Sequence, residues 1–268
     1  MLKTKVENQF KQRRNRLMSH ELAENSVFVF PSNNEVFRNS DVAYPFRQES
    51  SFYYLTGFDE PSSVLVLAPS KKGGYESVLF VQKKDPLMEM WEGARYGVEG
   101  AVEVFGVDKA YPIDELDKHL SDYFKNAQKL FYKLGKNLDF DQKVLSALDK
   151  HKKSKGRTGE GTLTVCDPVS VVGEMRLFKD DQEIETLRKV AVISALAHKQ
   201  AMQETQPGMN EYEIAALLEY VFKKNGCQRV AYPSIVAGGK NATCLHYNHN
   251  SAPLVGGDLL LIDAGGEL

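Results

Sequence analysis

Along the first half of the chain, apolar positions switch between helical and strand-like spacing. Val6 to Leu22 is charged with scattered apolar positions and predicts a surface helix. Ser26 to Phe30 (SVFVF) predicts a strand, stopped by Pro31-Ser32-Asn33-Asn34. Val64 to Ala68 and Ser77 to Val81 are short apolar runs bounded by Pro, Gly and Lys clusters, and predict further strands of one sheet. Ile113 to Phe124 predicts a helix, Lys129 to Leu134 a strand and Leu138 to Leu148 another helix. Strands alternating with helices imply an α/β layer. His151 to Gly161 (HKKSKGRTGEG) lacks large apolar residues and predicts a solvated loop.

The pattern changes near Arg176, which places one domain over 1–175 and a second over 176–268. Asp180 with Glu183 three residues on is a helix start. Ile184, Leu187, Ala191, Ala195, His198 and Met202 then recur at helical spacing and predict the buried face, with His198 as a packed histidine. Pro207-Gly208 breaks that helix, and Asn210 with Glu213 starts the next. Its stripe is Ile214, Leu217, Leu218, Val221 and Phe222, closed by Asn225-Gly226. From Val230 onward the chain predicts strands at Val230 to Ala237, Ala242 to His246 and Asp258 to Leu268. Two helices followed by strands imply an α+β second domain.

Composition narrows the function classes. With 42% hydrophobic and 26% charged residues, the 268-residue chain has the make-up of a globular protein rather than a disordered one. A net charge of −2 argues against a surface dedicated to coating nucleic acid. No apolar run reaches a membrane-spanning length, and the amino terminus has no secretory pattern, which predicts a cytoplasmic protein. Cys166, Cys227 and Cys244 contain no CxxC pair, so free thiols are expected rather than a disulfide framework or structural zinc. Gly238-Gly239-Lys240 lacks the remaining residues of a phosphate-binding loop.

Three residues stand out as candidates for chemistry. Asp263 follows the apolar run Leu259 to Ile262 and shares a strand face with Leu259 and Leu261, where a carboxylate is expected to be buried. Such a charge must be paired, hydrogen-bonded or metal-bound, unless Asp263 merely caps the strand end. His246 and His249 point to opposite faces of an extended chain, and no HExxH motif occurs; a loop histidine is the plain alternative for His246. Trp91, the single tryptophan, lies near Gly93 and Gly97 and reads either as an interface residue or as partial core. The aromatic segment Tyr44 to Phe58, with Arg47, reads as a loop packed on the first domain.

Taken together, the segments YPFRQESSFYYLTGFDEP, VLVL, WEGARYG, EMRLFKDDQEIETLRK, PGMNEYEIAALLE, YPSIVAGGKNATCLHYNHN and GGDLLLIDAGGEL resemble the Xaa-Pro aminopeptidase (aminopeptidase P) family. The resemblance implies an α/β amino-terminal domain followed by the first half of an α+β pita-bread catalytic domain. It implies two divalent metal ions, usually Mn(2+), held by two aspartates, a histidine and two glutamates. Asp263 matches the first of those aspartates. His246 matches the family's substrate-positioning histidine, and Trp91 matches a loop near a neighbouring subunit's active site in a homo-oligomer. The other ligands would lie after Leu268, so the chain reads as part of a longer protein, inactive alone, with the strand Leu259 to Ile262 lacking its partner. The implied substrate is a peptide with proline at its second position, and neither nucleic acid nor membrane is an expected partner. A prolidase-type dipeptidase is the near alternative, and a metal-free binding module on the same fold is the alternative of another class.

Overall fold

The computed structural model describes residues 8–156 and 161–268. Val6 and the 157–160 part of the polar stretch lie outside them. The chain divides into two compact units, Met1–Leu177 and Phe178–Leu268.

In the first unit the elements run α1 (Gln9–Met18), β1 (Ser26–Pro31), β2 (Phe37–Asn39), β3 (Val42–Ala43), α2 (Ser50–Thr56), β4 (Val64–Pro69), β5 (Tyr75–Val81) and α3 (Pro86–Glu92). They continue with α4 (Gly97–Phe105), β6 (Lys109–Pro112), α5 (Leu116–Tyr123), β7 (Lys129–Phe131), α6 (Leu138–Ser154), β8 (Thr164–Cys166) and α7 (Val169–Leu177). Six strands form one mixed sheet in the order β6-β5-β4-β1-β7-β8. β4 is antiparallel to both β1 and β5, whereas β1, β7 and β8 run parallel, as do β5 and β6. The period-2 alternation of the strands sorts their side chains between two buried layers. Phe28, Phe30, Leu65, Leu67 and Leu79 join Leu17, Leu55, Phe105 and Val172 from the helices of one face. Val27, Val29, Val64, Val66 and Val78 join Leu116, Leu120, Phe140 and Val144 on the other.

Arg14 of α1 ties one of these layers together. Its side chain has 0% exposure. It donates to the carbonyls of Leu55 at 2.9 Å, Phe105 at 3.3 Å and Gly106 at 2.7 Å. These oxygens sit at the carboxyl ends of α2 and α4, where helical carbonyls lack partners and the dipole favours a cation. Burial pulls the guanidinium pKa down, while Tyr75 and Asp108 act in the opposite direction.

Two expectations for this unit are corrected. The aromatic segment is not a loop throughout: residues 50–56 form α2, because the Glu49 carboxylate accepts from the Ser51 and Phe52 amides at 2.8 Å each. Gly57 closes the helix at φ +66, and a Cβ there would lie 2.5 Å from the Phe10 ring. The helix expected to stop at Leu148 runs on to Ser154, since His151 continues the buried face of Val144, Ala147 and Leu148. The first turn of the predicted solvated loop is therefore helical, with His151 buried edge-on to Phe124.

The second unit comprises α8 (Asp181–Glu204), α9 (Glu211–Lys224), β9 (Arg229–Val230), β10 (Ile235–Gly238), β11 (Leu260–Asp263) and β12 (Gly266–Glu267). The Asp180 start is a reciprocal capping box: Asp180 accepts from the Glu183 amide at 2.8 Å, and Glu183 accepts from the Asp180 amide at 3.0 Å. β10 pairs antiparallel with β11, and β9 with β12. β11 thus has a partner strand, contrary to expectation.

Two further expectations fail here. The packed stripe of α8 is Ile193, Ala197 and Ala201; of the expected stripe, Ile184 and His198 are half-buried and Leu187, Ala191, Ala195 and Met202 are exposed. Apolar residues occupy two faces of this helix, and small alanines allow the closer approach to α9. The strand expected at Ala242 to His246 does not form: Gly239–Thr243 is a 3-10 turn, and His246 lies in the turn that follows. The three cysteines are free. No helix among the described residues is long and apolar enough to cross a membrane.

Replacing Arg14 by Met should destabilise the first unit by roughly 3 kcal/mol, because three carbonyls, two of them in buried bonds, lose a charged donor. The check is the urea midpoint at which β1 and β4 amides lose exchange protection. A midpoint equal to the parent's would remove Arg14 from this role.

Candidate functional site

β11 delivers the candidate carboxylate. In its register with β10, Asp263 stands opposite Ile235. Leu260 and Ile262 turn toward the core shared with α8 and α9. Leu261 and Asp263 point to the other face and are exposed, as is Leu259. The burial expected for Asp263 is therefore overturned. The strand is packed on one face only, and no described element covers the other.

Asp263 is not free on that face. Tyr232 donates its hydroxyl to Asp263 Oδ1 at 2.6 Å. This bond, together with burial and the nearby carboxylate charge, pushes the phenol up to about 12. Tyr232, Pro233, Ile235, His246, Asn248 and Asp263 line one cavity of about 450 Å³. The structure thus brings His246 and Asp263 to a single site. His246 reaches it from an exposed turn rather than from a strand. Asn250 ties this segment to β10, accepting from the Val236 amide at 2.9 Å and donating to the Ser234 carbonyl at 2.8 Å. His249 instead packs its ring edge-on against Tyr247. His198 is half-buried, with Nδ1 2.9 Å from the Ser194 carbonyl. Trp91 lies on α3 of the first unit and is 82% exposed.

The donor set on this chain is partial. Asp263 offers hard carboxylate oxygens, which suit a divalent cation. Among the described residues, however, no group of three or more His, Cys, Asp and Glu side chains could hold a metal ion. The first unit has its own cavity of about 410 Å³, where Lys133, Lys136 and Arg176 outnumber Glu49 and Asp167. That balance disfavours a cation site there.

Tyr232 escapes a reading of the sequence. It stands 31 positions from Asp263, and the antiparallel pairings β10–β11 and β9–β12 on either side bring the two together.

Comparison with known proteins assigns both units. Residues 10–132 match the aminopeptidase P, N-terminal domain, and residues 185–268 match metallopeptidase family M24. The chain thus carries an aminopeptidase P amino-terminal domain and part of a family M24 metallopeptidase domain. It is 37% identical to Xaa-Pro aminopeptidase of Escherichia coli K12, over 98% of this chain and 60% of that protein. The same identity holds with Xaa-Pro aminopeptidase of Haemophilus influenzae, over 97% and 57%. The solved structure of Pseudomonas aeruginosa aminopeptidase PepP superposes with a TM-score of 0.91 at 38% identity, over 99% of this chain and 60% of that one. Zn-substituted E. coli aminopeptidase P in complex with product gives 0.91 at 37% identity, over 98% and 60%. The expected architecture holds: an aminopeptidase P amino-terminal domain is followed by part of a pita-bread domain. The chain spans about three fifths of the length of these relatives.

In the metal-free chain, Asp263→Asn should bring the Tyr232 phenol down from about 12 toward the ordinary value near 10. The carboxylate charge disfavours phenolate, so neutralising it eases ionisation. Titrating ¹³Cζ-labelled tyrosine by NMR checks this. An unmoved Tyr232 curve would mean that the 2.6 Å bond does not set its pKa.

Proposed function

We propose that this chain forms part of a metal-dependent Xaa-Pro aminopeptidase, which removes the first residue of a peptide whose second residue is proline. The observation that carries the reading is the convergence of Asp263 and His246 on one cavity, at the two positions where the sequence resembles the family's ligand and substrate-side motifs. The names of the relatives support it.

In this reading Asp263 is one carboxylate of a site for two divalent ions, manganese by the hardness of the donors. The bound ions supply the Lewis acidity for peptide hydrolysis. Tyr232 holds the Asp263 carboxylate in one orientation through its hydroxyl, as supporting residues around metal ligands commonly do. His246 positions the substrate and donates a hydrogen bond to the oxygen on which charge develops. The products are a free amino acid and a peptide beginning with proline. The exposed Leu87, Met90 and Trp91 on α3 form an apolar face, and we assign it to contact between copies of the chain. The free thiols fit a cytoplasmic setting.

The test uses this chain and a version extended to the relatives' full length. With added manganese, the extended protein should cleave an Xaa-Pro-Xaa peptide, and residues 1–268 alone should cleave none, because a single carboxylate cannot assemble a two-metal site. In the extended protein, Asp263→Asn should abolish turnover and lower the metal content. His246→Ala should lower kcat by about 10²–10³ with metal retained. Metal loss in the His246 variant would make that residue a ligand. Full turnover in the Asp263 variant would sink the assignment.

A further inference from the structure

Glu211, the first residue of α9, has 0% exposure. An acidic residue in a helix's first turn gains from the dipole without being buried, so its complete burial calls for another account. No lysine or arginine among the described residues bridges it. Its carboxylate accepts four hydrogen bonds instead. Oε1 accepts from the Gly238 amide at 2.8 Å and from Asn241 Nδ2 at 3.0 Å. Oε2 accepts from the Tyr247 hydroxyl at 2.7 Å and from the Ala252 amide at 2.9 Å. The Glu211 amide also donates to the Ala252 carbonyl at 3.0 Å.

Every one of these donors lies between Gly238 and Ala252, the segment that carries His246. Beyond residue 243 that segment has no helix or strand of its own until β11. Leu245, Cys244 and His246 are exposed, so apolar burial does not hold the turn in place. The fixed points are polar. Asn241 lies five residues before His246 and Tyr247 is its immediate neighbour; both point their polar ends at Glu211, and Asn241 Nδ2 also lies 3.1 Å from the Tyr247 hydroxyl. Ala252 and Asn250 anchor the far end.

We infer that Glu211 is a positioning residue of the candidate site: its buried carboxylate gathers both ends and the middle of the Gly238–Ala252 segment and thereby sets where His246 stands at the cavity. The functional meaning of this inference rests on the substrate-side role proposed for His246. The arrangement also requires the anion. Burial opposes ionisation of Glu211, but the four donors outweigh it and hold the carboxyl below its usual range. A neutral amide in its place would direct an N–H₂ group at two donors.

The test compares Glu211→Gln and Tyr247→Phe with the parent chain, reading amide exchange and the ring resonances of His246. Loss of one such hydrogen bond is worth about tenfold in a local opening equilibrium. Glu211→Gln should therefore speed exchange at Gly238 and Ala252 by about tenfold or more and shift or broaden the His246 ring signals. The amides of Ile193 to Ala201 in α8 should keep their protection. Tyr247→Phe should act in the same direction but less, and it decides the matter if the Gln variant does not fold. Unchanged His246 signals in a folded Glu211→Gln chain, or in Tyr247→Phe, would overturn the inference. So would an equal loss of protection in α8, which marks a merely global effect. These readouts involve no substrate: if they behave as expected while His246→Ala leaves kcat intact in the extended protein, the peptidase role of His246 fails and the positioning role stands.

Discussion

A charged side chain withdrawn from water must have its hydrogen-bonding capacity filled, and in each unit of this chain one such side chain organises what surrounds it. Arg14 and Glu211 both have 0% exposure. Arg14 is held by backbone carbonyls, and Glu211 by two backbone amides and two side-chain donors, rather than by a salt bridge to an opposite charge. Each also sits where helix ends offer the matching sign: the guanidinium at the carboxyl ends of α2 and α4, the carboxylate at the amino end of α9. The consequence is geometric. Arg14 fixes where two helices stop on one face of the six-stranded sheet, and Glu211 fixes a segment that has little regular structure to hold it.

The candidate site combines that fixed segment with strand register. The β10–β11 and β9–β12 pairings place Asp263 beside Tyr232, while the turn before Tyr247 places His246 at the same cavity. One face of β11 is committed to the helices and the other carries the chemistry. The second unit thus divides its labour by face: Leu260 and Ile262 belong to the core, and Leu261 and Asp263 to the cavity side. Such a division lets the polar face change in function without disturbing the packing beneath it.

Much of this was legible in the sequence wherever a signal was local. The runs Ser26 to Phe30, Val64 to Ala68 and Ser77 to Val81 are apolar apart from the leading Ser26 and Ser77 because both faces of the sheet are covered, and they are bounded by turn residues. Asp180 and Glu183 announce their helix through a reciprocal pair of bonds only three residues apart. What failed depended on distant partners. α8 carries two apolar stripes, and the packing of Ala197 and Ala201 in the core shared with α9 decides between them. The stretch before His246 has strand-like residues, but Glu211, far earlier in the chain, draws Asn241 inward and leaves a turn. Asp263 was legible as a motif residue, yet its exposure was not, since periodicity gives a face and not what covers it. Tyr232 became visible only through the antiparallel pairings that flank it, β9 with β12 and β10 with β11.

The order of strands in the first unit has a consequence in time as well as in space. β1 is the first sheet strand to leave the ribosome, and its antiparallel neighbour β4 follows within the same stretch of chain. Its parallel neighbour is β7, which joins Ser26 to Lys129. At a synthesis rate of about 5–20 residues per second, one edge of β1 waits roughly 5–20 seconds for its partner. Non-local parallel pairing is also slow to form once all the residues are present. The second unit begins instead with α8 and α9, neighbours along the chain that share one core. The two units of this chain therefore place opposite demands on the cell: the earlier unit needs protection while its sheet is incomplete, and the later one begins from contacts between neighbouring segments.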